Sequence, residues 1–386
     1  MAGPLTGVRI LDLSMYIAGP YGPGLLADMG ADVVKVEPLT ADPLRNGVAG
    51  FLTWNRGKRG IAVDLRLPAG REVVHRLATG ADVVVENYRP DVAERLGVDY
   101  KTLAALNPRL VYCTVTAYGS TGPNRRRPGV DPILQAESGV MRAQGGDTAP
   151  PVFLRIAVCD YYGAMLNATG ILMALFHRAR TGRGQRLETS LLQAGIFANS
   201  DAFVAYEGKP PRQQADPQHY GFGALDRLYQ TEDSWLFLQV CTDAQWRALA
   251  DALGLSEDPR FATRVSRQQH DSELGQTLAD RFAGGPTERW LAFLETRGVP
   301  CAPVALDYHQ AFFDDPHPLE TGMVAEREHP TYQRVQQSAN LVRFSEGGGP
   351  APLAGPTVGQ HTDEVLKELG YSAEQIAELR QAKVVA

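Results

Sequence analysis

Residues 154–163 read LRIAVCDYYG and introduce a strong helical pattern. Between Tyr161 and Arg180, apolar residues recur every three or four positions, which predicts a buried helix. These residues are Met165, Ile171, Leu172, Leu175 and Phe176. Basic residues at the predicted last turn and Gly182 just after it are typical of a helix end. The stretch therefore predicts an isolated acid, Asp160, followed by a long helix.

Two interpretations of Asp160 remain open on local sequence alone. The side chain is placed where an N-cap would lie, and a capping carboxylate accepts hydrogen bonds from the first free N–H groups of a helix. The same position at the positive end of a helix dipole would keep a nucleophilic carboxylate ionised. The rest of the chain has to decide between these roles.

Composition restricts the class of protein. The chain has 386 residues, enough for two or three domains, with 44% hydrophobic and 21% charged residues, as in ordinary globular proteins. A net charge of -6 gives no reason to expect a nucleic-acid partner. No apolar run approaches the length of a membrane span, and no secretory signal is visible, so we expect a cytoplasmic protein without a membrane partner.

Cysteine and histidine usage gives no indication of a metal. The four cysteines are far apart in sequence and form no Cys-x-x-Cys pair, so reduced thiols are expected. The eight histidines include no pair at the spacing of a helical zinc site. We therefore expect no metal ligands.

Strand and helix patterns alternate in the first part of the chain. Strands are predicted at residues 8–13, 33–36, 61–65, 83–86, 110–115 and 184–190, with helical stretches between them. Such alternation predicts a mainly parallel sheet covered on both faces. Ligands of these sheets tend to bind beyond the carboxyl ends of the strands.

The domain organisation follows from changes in pattern. Residues 1–205 are predicted to form a large α/β domain, and residues 206–224 a linker rich in proline, glutamine and charge. Residues 225–310 contain a predicted hairpin and several amphipathic helices, which predicts a small α+β domain. Residues 311–386 are predicted to return to the large domain.

A glycine-rich turn after the first strand raises the possibility of a dinucleotide site. Gly19, Gly22 and Gly24 are spaced as G-x-x-G-x-G instead of G-x-G-x-x-G. Pro20 and Pro23 also remove N–H donors that a pyrophosphate would need. A tight connection between strand and helix is the favoured interpretation.

Basic residues cluster at 55–59, at 87–89 with Arg95 beyond, and at 125–127. Each cluster alone is more often solvated surface than a binding site. Two of them flank predicted strands, however, and arginine and lysine beside amide and aromatic groups suit a phosphate-bearing nucleotide.

These segments together resemble the class III (family III) CoA-transferases, which include formyl-CoA transferase, carnitine CoA-transferase and α-methylacyl-CoA racemase. The resemblance covers nearly the whole chain and is specific in its order and spacing. It is carried by residues 7–13 GVRILDL, 18–20 AGP, 30–37 GADVVKVE, 55–59 NRGKR, 85–90 VENYRP, 181–185 TGRGQ and 359–362 GQHT.

The resemblance implies an overall architecture and a reaction. The fold would be a large, doubly wound, Rossmann-like α/β domain built from both chain ends plus a smaller α+β domain, and two ring-shaped subunits would interlock as a homodimer. Asp160 matches the family nucleophile, which would pass CoA from an acyl-CoA thioester to a carboxylic acid through a mixed anhydride and an aspartyl-CoA thioester. No metal, ATP or permanently bound cofactor is implied, and N–H groups at the helix start would stabilise the oxyanions.

Binding residues are carried over position by position. Lys58, Arg59, Asn87, Tyr88 and Arg95 are expected to bind CoA. Formyl-CoA transferase has His-Val-Gln before Ala-Gly-Pro, whereas this chain has Met15, Tyr16 and Ile17 before Ala18, which favours acids larger or more hydrophobic than oxalate. Two further expectations concern Gly221 and Gly223, as part of a mobile loop over the site, and Asp131, as a residue that orients substrate or Asp160.

Two other functions remain possible. α-Methylacyl-CoA racemase shares the resemblance and abstracts an α-proton with a histidine from a Gly-His-Asp motif. This chain has Gly129, Val130 and Asp131 there, and valine carries no proton. A CoA-binding protein without turnover is the third possibility. The sequence favours the CoA-transferase.

Overall fold

The computed structural model describes residues 3–147, 149–347 and 353–386. The strands are β1 (Arg9–Asp12), β2 (Asp32–Glu37), β3 (Lys58–Ala62), β4 (Val83–Glu86), β5 (Val111–Thr116), β6 (Gln185–Ser190), β7 (Gly221–Gly223), β8 (Asp226–Gln230), β9 (Trp235–Gln239), β10 (Cys301–Pro303), β11 (Val324–His329) and β12 (Gln333–Ser338). The α-helices are α1 (Ala18–Asp28), α2 (Val48–Trp54), α3 (Pro68–Gly80), α4 (Val92–Arg95), α5 (Tyr100–Leu106), α6 (Asp131–Glu137), α7 (Val140–Gly145), α8 (Val158–Thr181), α9 (Leu191–Ala198), α10 (Asp243–Leu253), α11 (Arg264–Gln269), α12 (Asp271–Phe282), α13 (Thr287–Glu295), α14 (Tyr308–Asp314), α15 (Pro316–Glu320), α16 (Thr362–Glu368) and α17 (Ala373–Gln381).

The chain divides into two compact units. The first comprises Met1–Gly139, Leu154–Ser200 and Phe313–Ala386, and the second comprises Val140–Phe153 and Asp201–Phe312. Both chain ends thus contribute to the first unit. The short segment 140–153 belongs to the second unit, although its sequence gives no sign of a change of domain.

A six-stranded parallel sheet forms the centre of the first unit. The strand order is β3-β2-β1-β4-β5-β6, and every neighbouring pair is parallel. The apolar, β-branched residues of β4 are buried because helices cover both faces of the sheet. The predicted parallel sheet is confirmed.

The strand order reverses direction between β1 and β4. The chain builds outward from β1 to β3 on one side, and then returns to place β4 on the other side of β1. Connections that leave two neighbouring strands in opposite directions open a crevice at their carboxyl ends, where ligands of such sheets bind. The residues after Asp12 and Glu86 lie at this position.

The glycines after β1 serve helix packing. Helix α1 begins at Ala18 and includes all three glycines. A Cβ on Gly22 would lie 1.7 Å from Oδ1 of Asn167 on α8, and one on Gly24 would lie 2.8 Å from the carbonyl oxygen of Trp54. Glycine therefore allows the close approach of α1 to its neighbours, as the tight-connection interpretation expects.

Helix α8 ends as the sequence predicts but is buried on one side only. Gly182 follows it with φ 73°, and Arg178 and Arg180 lie in its last turn. Ile171 is fully buried, whereas Met165, Met173 and Phe176 are 55%, 66% and 66% exposed. The expectation of a buried helix is therefore wrong for this apolar face, which nothing else in the described part of this unit covers.

The second unit contains a smaller antiparallel sheet of order β10-β9-β8-β7, packed with α10, α12 and α13. Its core is rich in aromatic and leucine side chains, including Trp246, Phe261 and Phe282. The predicted smaller, antiparallel strand-and-helix part of the fold is confirmed. Gly221 and Gly223 form the edge strand β7 instead of a loop, because they pair with Arg227 and Asp226 of β8.

The return segment joins β3 across a long sequence separation. The N–H of Gly60 donates to Nδ1 of His361 at 3.0 Å, and the N–H of His361 donates to the carbonyl oxygen of Gly60 at 2.9 Å. Arg59 forms ion pairs with Glu364 and Glu368 on α16. These contacts hold the C-terminal helices against the sheet. Within the described residues, none of the helices combines the length and apolar character needed to span a membrane.

Candidate active site

Asp160 lies inside the first turn of α8 and is not its N-cap. The helix begins at Val158, so Asp160 is the third helical residue, and the N-cap residue Ala157 makes no side-chain capping bond. The capping carboxylate comes from Asp131 at the start of α6. Its Oδ1 accepts the N–H groups of Cys159 at 2.7 Å and Asp160 at 3.2 Å. The capping interpretation of Asp160 is therefore wrong.

The N–H groups of the first turn are all engaged within the protein. Besides the two that bind Asp131, the N–H of Val158 donates to the carbonyl oxygen of Ile156 at 2.8 Å, and that of Tyr161 to Ala157 at 2.9 Å. The expectation that these N–H groups stabilise oxyanions is therefore wrong, since each would first have to lose its present acceptor.

The carboxylate of Asp160 is left without a partner. It is partly buried, and within residues 3–147, 149–347 and 353–386 its side chain makes no hydrogen bond or ion pair. Burial, together with the charge of Asp131, raises the pKa of Asp160 to about 7. The neighbouring Cys159 is a poor nucleophile, because burial raises the pKa of its thiol to about 12. A buried acid with a perturbed pKa and no structural role is a candidate catalytic group.

The loop after β1 is tightly held. Asn87 accepts the N–H of Met15 at 2.8 Å and donates to its carbonyl oxygen at 2.6 Å. The N–H of Tyr16 donates to Asp42 at 3.2 Å, and Tyr16 has φ 67°, in the left-handed region. A non-glycine residue there is strained, and such residues cluster at functional sites. Asn87 therefore shapes this loop directly.

A cavity of about 300 Å³ lies at the carboxyl ends of β1 to β4. Its lining residues are Met15, Val36, Glu37, Pro38, Leu39, Thr40, Val63, Asp64, Leu65, Arg66, Tyr88 and Leu96. Four consecutive strand-to-helix connections contribute to it, as expected at the reversal point of a doubly wound sheet. The cavity is largely apolar, with Arg66 as an exposed cation beside it.

The loop from Met15 to Ala18 connects this cavity with the helix of Asp160. Met15 lines the cavity, and a Cβ on Gly163 would lie 3.4 Å from that of Ala18. Gly163 follows Asp160 by three residues, so both lie on one face of α8. Three residues span at most roughly 11 Å. A short stretch that includes Tyr16 and Ile17 therefore joins the cavity wall to a residue packed against α8.

Two residues expected to bind CoA have other partners. Lys58 is fully buried in β3, and its ammonium group donates to Asp12 at 2.7 Å, the carbonyl oxygen of Pro20 at 2.6 Å and Asn55 at 2.9 Å. Arg59 binds Asp32, Glu364 and Glu368. Both residues begin β3, whereas the cavity lies at its other end. Their placement supports structural roles and no contact with phosphate.

The other basic residues lie on the surface near the cavity. Arg95 is exposed, and its side chain has no hydrogen bond or ion pair among the described residues, while its neighbour Leu96 lines the cavity. Arg126 forms an ion pair with Asp91 at 2.8 Å, which brings the 125–127 cluster beside the start of α4. The second and third basic clusters are therefore neighbours.

Sequence reasoning missed two contributors to this region. Gln135, fully buried on α6, donates to Asp131 and to the carbonyl oxygens of Leu154 and Ile156. Its spacing of four residues from Asp131 on a helix was an available signal. Arg66 lies four residues beyond the end of β3 and contributes to the cavity wall; the predicted strand 61–65 already placed it at a strand end, which was an available signal.

The fold, the cavity and the free acid on α8 together define the class of protein. The chain belongs to CoA-transferase family III, whose sequence model matches residues 5–362. A succinate–glutarate CoA-transferase of Agrobacterium fabrum is 32% identical, over 95% of this chain and 96% of that protein. The human succinyl-CoA:glutarate CoA-transferase is also 32% identical, over 99% of this chain and 90% of that protein.

Solved structures agree with this assignment. A CAIB/BAIF family protein from Brucella suis has a TM-score of 0.86 and 31% identity, covering 96% of this chain and all of that one. The protein is therefore an enzyme of the acyl-CoA:carboxylate CoA-transferase type, which moves CoA between an acyl-CoA thioester and a carboxylic acid. The expectation drawn from the sequence motifs is confirmed.

Proposed function

We propose that Asp160 is the nucleophile of this transferase. The observation that carries the proposal is that Asp131 does the capping, while the carboxylate of Asp160 stays partly buried and has no partner among the residues that the structure describes. Burial strips water from the carboxylate and makes it more basic, which suits attack on a thioester carbonyl. Cys159 points to Ser138 and holds its proton, so it does not compete.

The first half-reaction takes CoA from the donor. An oxygen of Asp160 attacks the thioester carbonyl carbon, the C–S bond breaks, and CoA leaves as a thiolate. The product is a mixed anhydride between Asp160 and the donor acyl group. The thiolate then attacks the carbonyl carbon of Asp160, the C–O bond of the anhydride breaks, and the donor acid leaves as a carboxylate. CoA is now held as an aspartyl thioester.

The second half-reaction runs these steps in reverse with the acceptor. The acceptor carboxylate attacks the aspartyl thioester and releases CoA thiolate, which then attacks the acceptor carbonyl carbon of the new anhydride. Acceptor-CoA forms, and Asp160 returns as a carboxylate. One thioester is made for each one consumed, so the exchange needs no other energy source.

The CoA nucleotide is proposed to lie in the cavity at the ends of β1 to β4, with Tyr88 in its wall. Positive charge for the phosphates comes from the 125–127 cluster and from the exposed guanidinium of Arg95, which has no ion-pair partner in the described ranges. The pantetheine arm would then run past Met15 and Tyr16 toward Gly163 and Asp160. The cavity's position and the short loop beside it support this path.

Dicarboxylic acids are the proposed acceptors and donors. The relatives from Agrobacterium fabrum and human are named for succinate or succinyl-CoA and glutarate, and a relative from Chloroflexus aurantiacus is a succinyl-CoA–D-citramalate CoA-transferase. Met15, Tyr16 and Ile17 would offer the acyl group a more apolar surface, which favours acids larger or more hydrophobic than oxalate. A panel of acids incubated with succinyl-CoA and analysed by mass spectrometry identifies the products.

A homodimer is the proposed assembly. The exposed apolar face of α8, formed by Met165, Leu172, Met173 and Phe176, is the kind of patch that a stable partner covers. Met173→Glu with Phe176→Glu should give a smaller particle in analytical ultracentrifugation. His177→Glu, an exposed polar position on the same helix, is the matched control and should leave the mass unchanged.

Trapping of the covalent intermediate tests the mechanism. Wild-type enzyme with acyl-CoA alone should gain the mass of CoA on the peptide containing Asp160, and hydroxylamine should remove it. Asp160→Asn should show no adduct and lose several orders of magnitude in turnover. An adduct on Cys159, or substantial activity in Asp160→Asn, would refute the mechanism.

The same preparation tests the racemase alternative. With a 2-methylacyl-CoA in heavy water and no acceptor acid, deuterium should not enter at C2, since Val130 supplies no base and the oxygens of Asp131 already accept hydrogen bonds. Rapid deuterium uptake would favour proton abstraction over CoA transfer.

A further inference from the structure

Two buried side chains on α6 hold the segment that leads into α8. Asp131 and Gln135 lie four residues apart, and only 6% and 0% of their surfaces are exposed. We call this pair the α6 bracket. Gln135 accepts the N–H of Leu154 at 3.3 Å and donates to the carbonyl oxygens of Leu154 and Ile156 at 3.2 Å each. The path of residues 154–156 is therefore fixed by one amide side chain.

Asp131 continues this support to the nucleophile itself. Its Oδ1 accepts the N–H groups of Cys159 and Asp160, and its Oδ2 accepts a hydrogen bond from Gln135. Three donated hydrogen bonds satisfy the buried carboxylate, which has no cationic partner in the described part of the chain. Buried anions are stabilised in this way when they accept several N–H bonds. Burial raises the pKa of Asp131, whereas these hydrogen bonds favour its ionised form, and the ionised carboxylate lies close to Asp160.

We propose that the α6 bracket positions the nucleophile, with Gln135 fixing the chain before α8 and Asp131 fixing the backbone of Asp160 and supplying a nearby negative charge. This inference rests on the proposed role of Asp160. In this proposal neither Asp131 nor Gln135 touches the substrate, so both are positioning residues.

A role as an ordinary helix cap does not explain why the cap of α8 comes from Asp131 on another helix. A Ser, Thr or Asp at position 157 would cap α8 locally, yet the chain has alanine there and takes its cap from another helix. The remote cap ties the backbone of Asp160 to α6, so that the carboxylate's position depends on two packed helices. Displacing a reacting group by about 1 Å costs on the order of 100-fold in rate.

The charge of Asp131 has its own effect on reactivity. Burial and this like charge both raise the pKa of Asp160 to about 7. Burial raises the pKa of the neighbouring Cys159 thiol, which therefore stays neutral. Within the described part of the chain, Asp131 is thus the charge that shifts the pKa of Asp160.

The variant Asp131→Asn tests both contributions at once. Asparagine keeps an oxygen for the two backbone N–H groups but removes the charge and turns an N–H toward the amide of Gln135. We expect kcat for formation of the Asp160 thioester to fall roughly 10–100-fold with little change in KM for acyl-CoA. The acid limb of the profile of kcat/KM against pH should move to lower pH, because the like charge is gone.

Gln135→Ala separates position from charge. It removes one of the three hydrogen bonds to Asp131 but keeps the carboxylate and its bonds from both N–H groups, and it releases Leu154 and Ile156. We expect kcat to fall while the acid limb stays near its wild-type position. If the α6 bracket served only to stabilise the fold, both variants would have lower thermal stability. The acid limb of the profile of kcat/KM against pH would then be unchanged in both.

The possible results separate a failure of the bracket proposal from a failure of the proposed role of Asp160. If wild-type enzyme forms the Asp160 adduct while Asp131→Asn keeps the wild-type kcat and acid limb, the bracket proposal is wrong and the mechanism stands. If wild-type enzyme forms no adduct on Asp160, both are wrong. Should Asp131→Asn fail to fold, a wild-type kcat in Gln135→Ala is sufficient to overturn the proposal.

Discussion

The ammonium group of Lys58 donates a hydrogen bond to the carboxylate of Asp12 at 2.7 Å, and both side chains are fully buried. The same ammonium group binds the carbonyl oxygen of Pro20 and the amide of Asn55. One lysine thus joins β1, β3 and the start of α1 beneath the loop of Met15. A basic residue in a family motif can stabilise the fold around a site without contacting the ligand.

Replacing Lys58 should therefore affect folding more than CoA binding. Lys58→Met leaves the buried carboxylate of Asp12 without its ion-pair partner, with only the hydrogen bonds from Ser14 and the more distant charge of Lys35, which costs about 3–5 kcal/mol of unfolding free energy. Urea denaturation measures the loss. The double variant Asp12→Asn/Lys58→Met should recover part of it, because no charge is then buried alone. A stable Lys58→Met variant with a raised KM for acyl-CoA would instead place Lys58 on the ligand.

Arg95 should show the opposite behaviour. Arg95→Ala is expected to raise KM for acyl-CoA with a smaller effect on the acceptor acid, since an interaction with the CoA phosphates is lost. The difference between wild type and variant should shrink at high salt. Arg59→Ala is the matched control, because its ion pairs with Asp32 and Glu368 make it structural. It should lower the unfolding free energy and leave KM unchanged.

The raised pKa of Asp160 predicts a pH-dependent gain of stability on its removal. The folded protein holds the proton up to a pKa of about 7, against 3.8 for a free side chain. Burial of the ionised form thus destabilises the fold progressively as pH rises from about 4 to about 7, and fully above that range. Asp160→Asn should match wild type below about pH 4 and exceed it by on the order of 2–4 kcal/mol at about pH 8. Equal stability across this range would mean that the carboxylate is better solvated than its burial indicates.

The strained backbone of Tyr16 predicts a difference between two small replacements. An alanine in the left-handed region keeps the clash of its Cβ with the backbone, whereas glycine has none. Tyr16→Gly should therefore be more stable than Tyr16→Ala by about 1 kcal/mol, although glycine loses more freedom on folding. Chemical denaturation of both variants measures it. If alanine were the more stable, the bonds from Asn87 and Asp42 would not be holding this conformation.

Local sequence predicted the elements well wherever apolar residues mark the buried face. Strand β4 has the predicted bounds, Val83–Glu86. The hairpin of β11 and β12 was missed because its buried positions include Arg327 and His329, so that no apolar alternation is visible. Periodicity of hydrophobic residues cannot reveal a strand whose inner face is polar.

The site was predictable in its chemistry and less so in its geometry. Asp160 was singled out, but its cap, Asp131, lies 29 residues away and is brought near only by tertiary packing. Lys58 is buried by the register of β3 with β2, and composition does not distinguish it from a solvated lysine. The positions of these side chains depend on contacts between segments far apart in sequence. A pattern among residues that are adjacent in sequence does not reveal such contacts.

The pairing of Gly60 with His361, 301 positions apart, has a consequence for synthesis on the ribosome. The edge of the parallel sheet cannot gain its final partners until the whole second unit and most of the return segment have left the exit tunnel. The second unit is mostly continuous in sequence and can complete its core earlier. Until then, β3 has a free edge, and such edges are where nascent chains associate wrongly. Slow release of the last segment, or a stall before it, would therefore leave the edge of β3 exposed to aggregation while the antiparallel unit is already folded.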